Sequence, residues 1–317
     1  MYLTSFNYTE LSQIDNKAFD QLQGTTAEST MPAQQENHNS RGDDAQDDRR
    51  SFLMNLPLSI KMYTYYGEPQ FFDILDTEYA LSDSSGTGSE FLLFHASEKT
   101  INTIMNPQSS RCIAKFCSSF DTQEQLLLVK IPCSLHTAAC VEMNDMIKKC
   151  LIPMGLSSAV QGYPCAIVRS SPIDTRGKQP DYCWGPKNKP PYLPSTPSVT
   201  FEVAYSESES KLTSDARFWL SPGHGNANIC LTLQIDQSRP EIKIRQWRKS
   251  SKTRIKCSQT IRVTRKGQAL DFRGHPLTIP FEGLFRCKSS RPEAGDLVIS
   301  ESHLKEMARM IWQKQGW

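Results

Sequence analysis

Apolar residues in the second half of the chain recur at helical spacing in three places. The first stripe begins after residue 134, and Pro153 and Gly155 follow it, which predicts an amphipathic helix that ends before the proline. Ser206 and Glu209 are spaced as a capping box ahead of the second stripe. The third stripe predicts a closing helix over residues 302–315. The stripes consist of Ala139, Met143, Met146, Ile147 and Cys150; of Leu212, Ala216, Trp219 and Leu220; and of Leu304, Ala308, Ile311 and Trp312.

Other segments have the composition of β-strands. Residues 163–169, 198–205 and 228–235 are rich in apolar and β-branched residues, as buried strands are. Residues 241–247 and 260–264 alternate between apolar and polar positions, which predicts strands with one solvated face. Residues 53–132 mix short apolar runs with a Ser/Gly loop, and we expect a few strands and one short helix there. Strands that alternate with helices in this way predict a layered α/β fold.

The first 52 residues differ from the rest in composition and charge. They carry nine acidic and four basic residues, a net charge of −5, and the whole chain carries +2, so the other 265 residues carry +7. Few aromatic or β-branched residues occur between residues 23 and 50, so this stretch buries too little surface to offset the entropy of ordering. We therefore expect residues 1–52 to form a disordered acidic tail.

The sequence also bears on location. Acidic residues interrupt the first 21 positions, which excludes an ordinary secretory signal, and no apolar run reaches membrane-spanning length. We expect an intracellular protein, cytoplasmic or nuclear, that is neither secreted nor in a membrane. The ten cysteines include no Cys-x-x-Cys pair, so they are better interpreted as buried small hydrophobic residues than as zinc ligands.

Two acidic residues stand out by position. Asp181 follows Pro180, and Glu202 lies inside the apolar strand at residues 198–205. A carboxylate in a buried strand costs free energy unless it is paired, protonated or bound to a metal. Two acids at neighbouring strand ends repel each other, and a divalent cation such as Mg²⁺ relieves that repulsion. The alternatives are that Asp181 is a turn residue after proline and that Glu202 points outward from an edge strand.

Around these acids the sequence resembles a known family. Residues 180–186 read PDYCWGP, Glu202 follows 21 residues after Asp181 within FEVAYSES, and residues 215–217 read DAR. This pattern resembles the PD-(D/E)XK restriction-endonuclease-like superfamily, in particular its bacterial restriction-endonuclease branch and the uncharacterised fungal relatives of that branch. The resemblance extends over roughly residues 130–317.

The resemblance implies a restriction-endonuclease-like α/β/α core with a mixed sheet. It places Asp181 and Glu202 on neighbouring strands as Mg²⁺ ligands and as catalytic residues, with phosphodiester hydrolysis as the chemistry. It implies a nuclease-like domain at residues 133–317. Together with the tail at residues 1–52, this leaves residues 53–132, which we expect to form a β-rich extension packed on the core.

One residue departs from the family pattern. The motif has a lysine two residues after the second acid, and this chain has Ala204 there. Lys211, one turn into the following helix, is the candidate replacement, and His136 on the first helix is a further candidate catalytic residue. The alternatives are that Lys211 is a solvated residue paired with Glu207 and that His136 packs against a neighbouring strand.

A basic segment follows the two acids. Residues 242–270 contain ten basic residues and no acidic one, with an aromatic residue among them. Such a segment attracts phosphate groups without reading sequence, and the aromatic ring can stack on a base. The alternative is a solvated hairpin whose outward residues are basic. The predicted nucleic-acid-binding residues are Lys243, Arg245, Trp247, Arg248, Lys249, Lys252 and Arg254.

Three hypotheses for function follow. The first is a Mg²⁺-dependent nuclease that acts on nucleic acid, with DNA favoured over RNA. Its activity would be weak because Ala204 replaces the motif lysine. The second is a nuclease-fold protein without catalysis that binds nucleic acid or a protein. The third is a protein-interaction module in which the acidic tail matters most. The oligomeric state stays open, with a homodimer as one option.

Overall fold

The computed structural model describes residue 56 and residues 60–317, except for 86–88, 107–110, 132, 164–166, 170–174, 191–193, 195, 206–208, 252–253 and 290. The predicted tail at residues 1–52 lies outside these residues. The part of the chain that is described belongs to a single compact unit. None of its helices is both long and apolar enough to cross a lipid bilayer.

The first sheet is built largely from the N-terminal third. Its strands are β1 (Lys61–Thr64), β2 (Phe91–His95), β3 (Cys117–Asp121), β4 (Leu126–Lys130), β6 (Val168–Arg169) and β7 (Arg176–Lys178), in the order β1-β2-β4-β3-β7-β6. The β1–β2 pair is parallel and the other pairs are antiparallel. Helices α1 (Glu68–Ser85), α2 (Glu98–Ile104) and α3 (Arg111–Ala114) lie between these strands in the chain. Residues of α1, α2 and the sheet share one apolar core.

The second sheet has seven strands. They are β5 (Val160–Tyr163), β8 (Tyr182–Pro186), β9 (Val199–Ala204), β10 (Ile229–Ile235), β11 (Glu241–Lys249), β12 (Ile255–Lys266) and β13 (Ala269–Arg273), in the order β13-β12-β11-β10-β9-β8-β5. The β9–β10 pair is parallel and the other pairs are antiparallel, so this sheet is mixed. The small sheet of β14 (Leu277–Ile279) and β15 (Leu297–Ile299) and the short helix α6 (Phe281–Phe285) complete the fold.

Helices cover both faces of the second sheet. On one face, α4 (Ser134–Leu151) and α7 (Glu301–Lys314) pack on the side chains of Phe201, Val203 and their neighbours. On the other face, α5 (Glu209–Leu220) packs through Trp219 against Cys230 and Trp247. The predicted mixed α/β architecture is therefore confirmed. Side chains alternate between the two faces along β9, so Glu202 lies on the opposite face from Phe201 and Val203. The face that carries Glu202 is the one that α5 covers.

The elements differ from the predictions in three places. Residues 53–132, where one short helix was expected, contain the 18-residue helix α1 as well as α2 and α3. The strand predicted at residues 163–169 is two strands, β5 and β6, which belong to different sheets. Position 164 is a proline, which has no N–H for a strand ladder, so continuous pairing through it is disfavoured. In addition, β6 and β7 complete the first sheet although they follow residue 133. The domain division at that residue stays a prediction, and after it the chain returns to the first sheet for β6 and β7 before it continues in the second.

Candidate active site

The two predicted acids lie on neighbouring strands. Asp181 directly precedes β8, Glu202 lies in β9, and β8 pairs with β9 so that Tyr182 is opposite Phe201. The Oδ2 atom of Asp181 accepts a hydrogen bond of 2.7 Å from the backbone N–H of Val203, the residue after Glu202. The exposed fraction is 8% for the Asp181 side chain and 5% for that of Glu202. Both acids therefore belong to one largely buried cluster.

Asp181 is surrounded by positive charge. Its Oδ2 atom lies 2.9 Å from the Lys130 Nζ atom and 2.9 Å from the His136 Nε2 atom. The lysine donates a hydrogen bond to this oxygen, and the imidazole nitrogen contacts it. Burial by itself would raise the pKa of Asp181, but the charges of His136 and Lys130 hold that pKa well below its usual value. Asp181 is therefore ionised at neutral pH.

Glu202 has a different environment. The Trp219 indole N–H of α5 donates a hydrogen bond to its Oε1 atom, and the Lys178 Nζ atom lies 3.8 Å from the same oxygen. Burial raises the pKa of Glu202 to about 8, and the Asp181 and Asp215 carboxylates add to the shift while Lys178 opposes it. Glu202 is thus protonated in most molecules at pH 7.

A third acid, Asp215, completes the cluster. Its carboxylate lies 2.6 Å from the Lys211 Nζ atom one helical turn earlier and 2.8 Å from the Lys178 Nζ atom. Burial opposes ionisation, but these two ammonium groups hold the pKa of Asp215 below its usual value. The candidate base Lys211 is therefore buried against Asp215 instead of being solvated. Glu207, its alternative partner, lies outside the described residues.

Sequence reasoning missed three members of this cluster. Asp215 was noted only as part of the sequence DAR, and it is buried. Lys130 and Lys178 were not singled out, although Lys130 ends an apolar strand and Lys178 lies three residues before Asp181. The i, i+4 spacing of Lys211 and Asp215 was a usable signal, because such pairs attract on a helix. Both lysines from the first sheet are buried, which for lysine requires a partner.

The predicted Mg²⁺ site requires at least one ionised carboxylate that is free to coordinate, together with further oxygen ligands. Among the residues that the structure describes, no three His, Cys, Asp or Glu side chains are grouped to hold a metal ion. The Oδ2 atom of Asp181 already faces Lys130, His136 and the Val203 N–H, and Glu202 is largely protonated. The side chains as arranged therefore do not fit the Mg²⁺ ion that the resemblance implies.

The basic segment folds into the β11–β12 hairpin. Lys243 and Arg245 contact the Glu209 carboxylate of α5, at 3.4 Å and 2.6 Å. Trp247 packs on the α5 core cluster and donates a hydrogen bond of 3.0 Å to the Thr232 hydroxyl. These three predicted nucleic-acid contacts thus face α5 and are engaged within the fold.

The other basic residues lie toward the turn of that hairpin. Arg248 and Lys249 are partly exposed and Arg254 is exposed, while Lys252 lies outside the described residues. The strand register pairs Arg248 with Lys256, which is also exposed. The end of the hairpin is therefore the part of the basic segment that meets solvent.

Two further basic residues lie close to Lys249. Arg286 donates to the carbonyl of Asn226, whose side chain accepts from Lys249, and to the carbonyl of Thr196, two residues after the Pro194 carbonyl that accepts from Lys189. Burial lowers the pKa of Lys249 and of Lys189, and the positive charge of Arg286 lowers both further. Lys249 donates to the Asn226 side-chain oxygen at 3.0 Å, and Lys189 donates to the Pro194 carbonyl at 3.1 Å. We call Lys189, Lys249 and Arg286, together with the exposed Arg254 and Lys256, the basic corner.

Comparisons with known proteins give a weak structural similarity. No family model and no curated protein matches the chain. Among solved structures, the chain is similar to one from Anabaena variabilis ATCC 29413 described as a "putative nuclease belonging to DUF820". The two share 14% identity over 60% of this chain and 90% of the other, with a TM-score of 0.33. A TM-score this low does not establish a shared fold, so the PD-(D/E)XK assignment stays a prediction.

Proposed function

We propose that this protein binds nucleic acid at the basic corner, with DNA preferred to RNA. We propose further that the buried cluster of Asp181, Glu202, Asp215 and the lysines around them does not carry out metal-dependent cleavage. The observation that carries the proposal is the grouping of Lys189, Lys249 and Arg286. Their positive charges repel one another, and the partners found for them in the described part of the chain are neutral oxygen atoms. Phosphate groups would relieve that repulsion.

The surroundings of these residues favour a long polyanion over a single small anion. Arg286 is held by hydrogen bonds to the carbonyls of Pro197 and Asn226, at 2.9 Å and 3.0 Å, so its position is set by the fold. Arg254 and Lys256 extend the positive surface along the end of the hairpin. A nucleic-acid backbone presents phosphates at regular intervals and so can meet several of these groups at once.

The test is binding of the full chain to fluorescent duplex DNA, single-stranded DNA and RNA over a series of salt concentrations. We expect affinity for duplex DNA to fall with salt and to weaken in the double variant Lys189→Ala/Lys249→Ala. The matched control is Lys148→Ala/Arg309→Ala, which removes the same charge from exposed positions on α4 and α7. Equal weakening in both double variants would reduce the effect to net charge and overturn the assignment to the basic corner.

A second candidate function is slow phosphodiester hydrolysis at the cluster. The observation in its favour is that the Lys178 ammonium lies 3.8 Å from Glu202, so the first sheet supplies a lysine near the second acid where position 204 has alanine. An ammonium there stabilises negative charge that develops on a phosphate oxygen. Plasmid nicking that is lost in both Asp181→Asn and Glu202→Gln would favour this function over binding alone.

A further inference from the structure

The Lys130 side chain lies between two oxygen atoms of the second sheet. Its Nζ atom is 2.9 Å from the Oδ2 atom of Asp181 and 2.7 Å from the main-chain carbonyl oxygen of Val203. The exposed fraction of the side chain is 8%. A carboxylate oxygen and a main-chain carbonyl oxygen are the ligand types that Mg²⁺, Ca²⁺ and Mn²⁺ take from proteins. The ammonium therefore lies where a hard cation would find two of its ligands.

The first sheet holds this ammonium in place. Lys130 is the last residue of β4, and its backbone N–H donates to the Phe116 carbonyl at 2.8 Å. Phe91 is directly opposite it on β2, and the ammonium lies 5.5 Å from the centre of that ring. The strand end and the aromatic ring together direct the side chain toward the second sheet.

The positive charge acts on both predicted metal ligands. Lys130 contacts Asp181 directly, and its charge also favours the ionised form of Glu202. A divalent cation between two carboxyl groups would have the same effect. One buried ammonium thus provides part of the charge compensation that the resemblance assigned to Mg²⁺.

We propose that the Lys130 ammonium occupies the cation position of this site, so that its removal converts the cluster into a binding site for a divalent metal ion. Truncation to alanine would remove the ammonium from the Asp181 carboxylate and the Val203 carbonyl and leave the space of its side chain to an ion, while His136 and the Val203 N–H stay beside Oδ2. Water molecules would then complete the coordination shell. The inference does not depend on nucleic-acid binding, because it concerns atoms outside the basic corner.

The test is titration of the full chain with Mn²⁺ alone, with the free ion followed by electron paramagnetic resonance. We expect the Lys130→Ala variant to bind one Mn²⁺ at least about tenfold more tightly than the wild type, a difference that a titration resolves. The Lys130→Ala/Asp181→Asn variant should lose that site. Lys149→Ala, which removes an exposed lysine on α4, should behave as the wild type does.

Thermal unfolding with and without Mn²⁺ covers the case in which Lys130→Ala folds poorly. A metal ion that binds the folded state alone raises the melting temperature, so Mn²⁺ should stabilise Lys130→Ala and leave the wild type unchanged. A wild-type Mn²⁺ site that Asp181→Asn abolishes would overturn the proposal. So would a Lys130→Ala variant that gains neither Mn²⁺ binding nor stability from Mn²⁺. Neither readout involves DNA, so failure here leaves the proposed function unaffected.

Discussion

The Lys178 ammonium, carried by a strand of the first sheet, lies 2.8 Å from the Asp215 carboxylate in the helix that covers the second sheet. Both side chains are buried. Lys130 makes an equivalent connection from the same sheet to Asp181. Buried lysines of the first sheet therefore contact an acid next to the second sheet and an acid of its covering helix, and these contacts connect the two sheets.

The first prediction concerns that connection. Lys178→Met should lower the free energy of unfolding by about 3–5 kcal/mol, because it removes one partner from a buried ion pair and leaves Asp215 with less compensation. Urea denaturation measures the loss. The matched control is Lys149→Met, whose partner Glu306 is exposed, and its effect should stay below about 1 kcal/mol. Equal losses in the two variants would show that the buried contact contributes no more than a surface pair.

A pair of buried tryptophans tests the hydrogen bond to Glu202. Trp219 donates its indole N–H to Glu202, whereas the indole nitrogen of Trp312 has no hydrogen-bond partner in the described part of the chain. Both side chains are almost fully buried. We expect Trp219→Phe to destabilise the protein by about 1–3 kcal/mol more than Trp312→Phe, because it also leaves a buried acceptor unpaired. A larger loss in Trp312→Phe would contradict a stabilising role for the Glu202 contact.

The raised pKa of Glu202 predicts a pH dependence of stability. The folded chain retains this proton up to a pKa of about 8, whereas the unfolded chain releases it near the ordinary value of 4.5. The unfolded state therefore binds fewer protons between these values, and the free energy of unfolding falls as pH rises, by at most about 1.4 kcal/mol per pH unit.

Glu202→Gln isolates that contribution, because the amide keeps an acceptor for Trp219 and does not titrate. Urea denaturation at pH 5, 6, 7 and 8 should show the wild type losing stability relative to Glu202→Gln as pH rises. Asp181 and Asp215, whose pKa values are lowered, lose their contribution as pH falls through and below about 3.8, outside this window. Parallel profiles for the two proteins would mean that Glu202 titrates normally in the folded state.

The basic corner predicts a specific dependence on salt. A lysine that contacts a phosphate contributes to counterion release, so Lys249→Ala should reduce the slope of log K against log salt concentration by about one. Fluorescence anisotropy with duplex DNA measures the slope. Lys243→Ala is the comparison, because that lysine is turned toward Glu209, and its slope should stay closer to that of the wild type. The reverse order would place the phosphate contact at Lys243 and not at the basic corner.

The spacing of apolar residues alone was sufficient to predict most strands of the second sheet and the helices that cover it. The strand predicted at residues 198–205 is β9, and the helix predicted from residue 134 is α4. These predictions were correct because the alternation of strands and the 3.6-residue spacing of helices depend directly on which side chains face an apolar core. The position of Glu202 within an apolar strand likewise indicated a buried acid, and the exposed fraction of its side chain agrees.

The partners of those acids could not be read from the chain, because they depend on contacts between distant segments. Lys130 and Asp181 are 51 residues apart, and Lys130 and Val203 are 73 apart. Alternation along β11 indicated correctly that Lys243 and Arg245 share a face, but only the packing of α5 decided that Glu209 would cover it. The sequence determined the periods of the strands and helices and the presence of acids among them. The tertiary structure decided which cations face those acids, because charge compensation depends on distance and burial in space and not on separation along the chain.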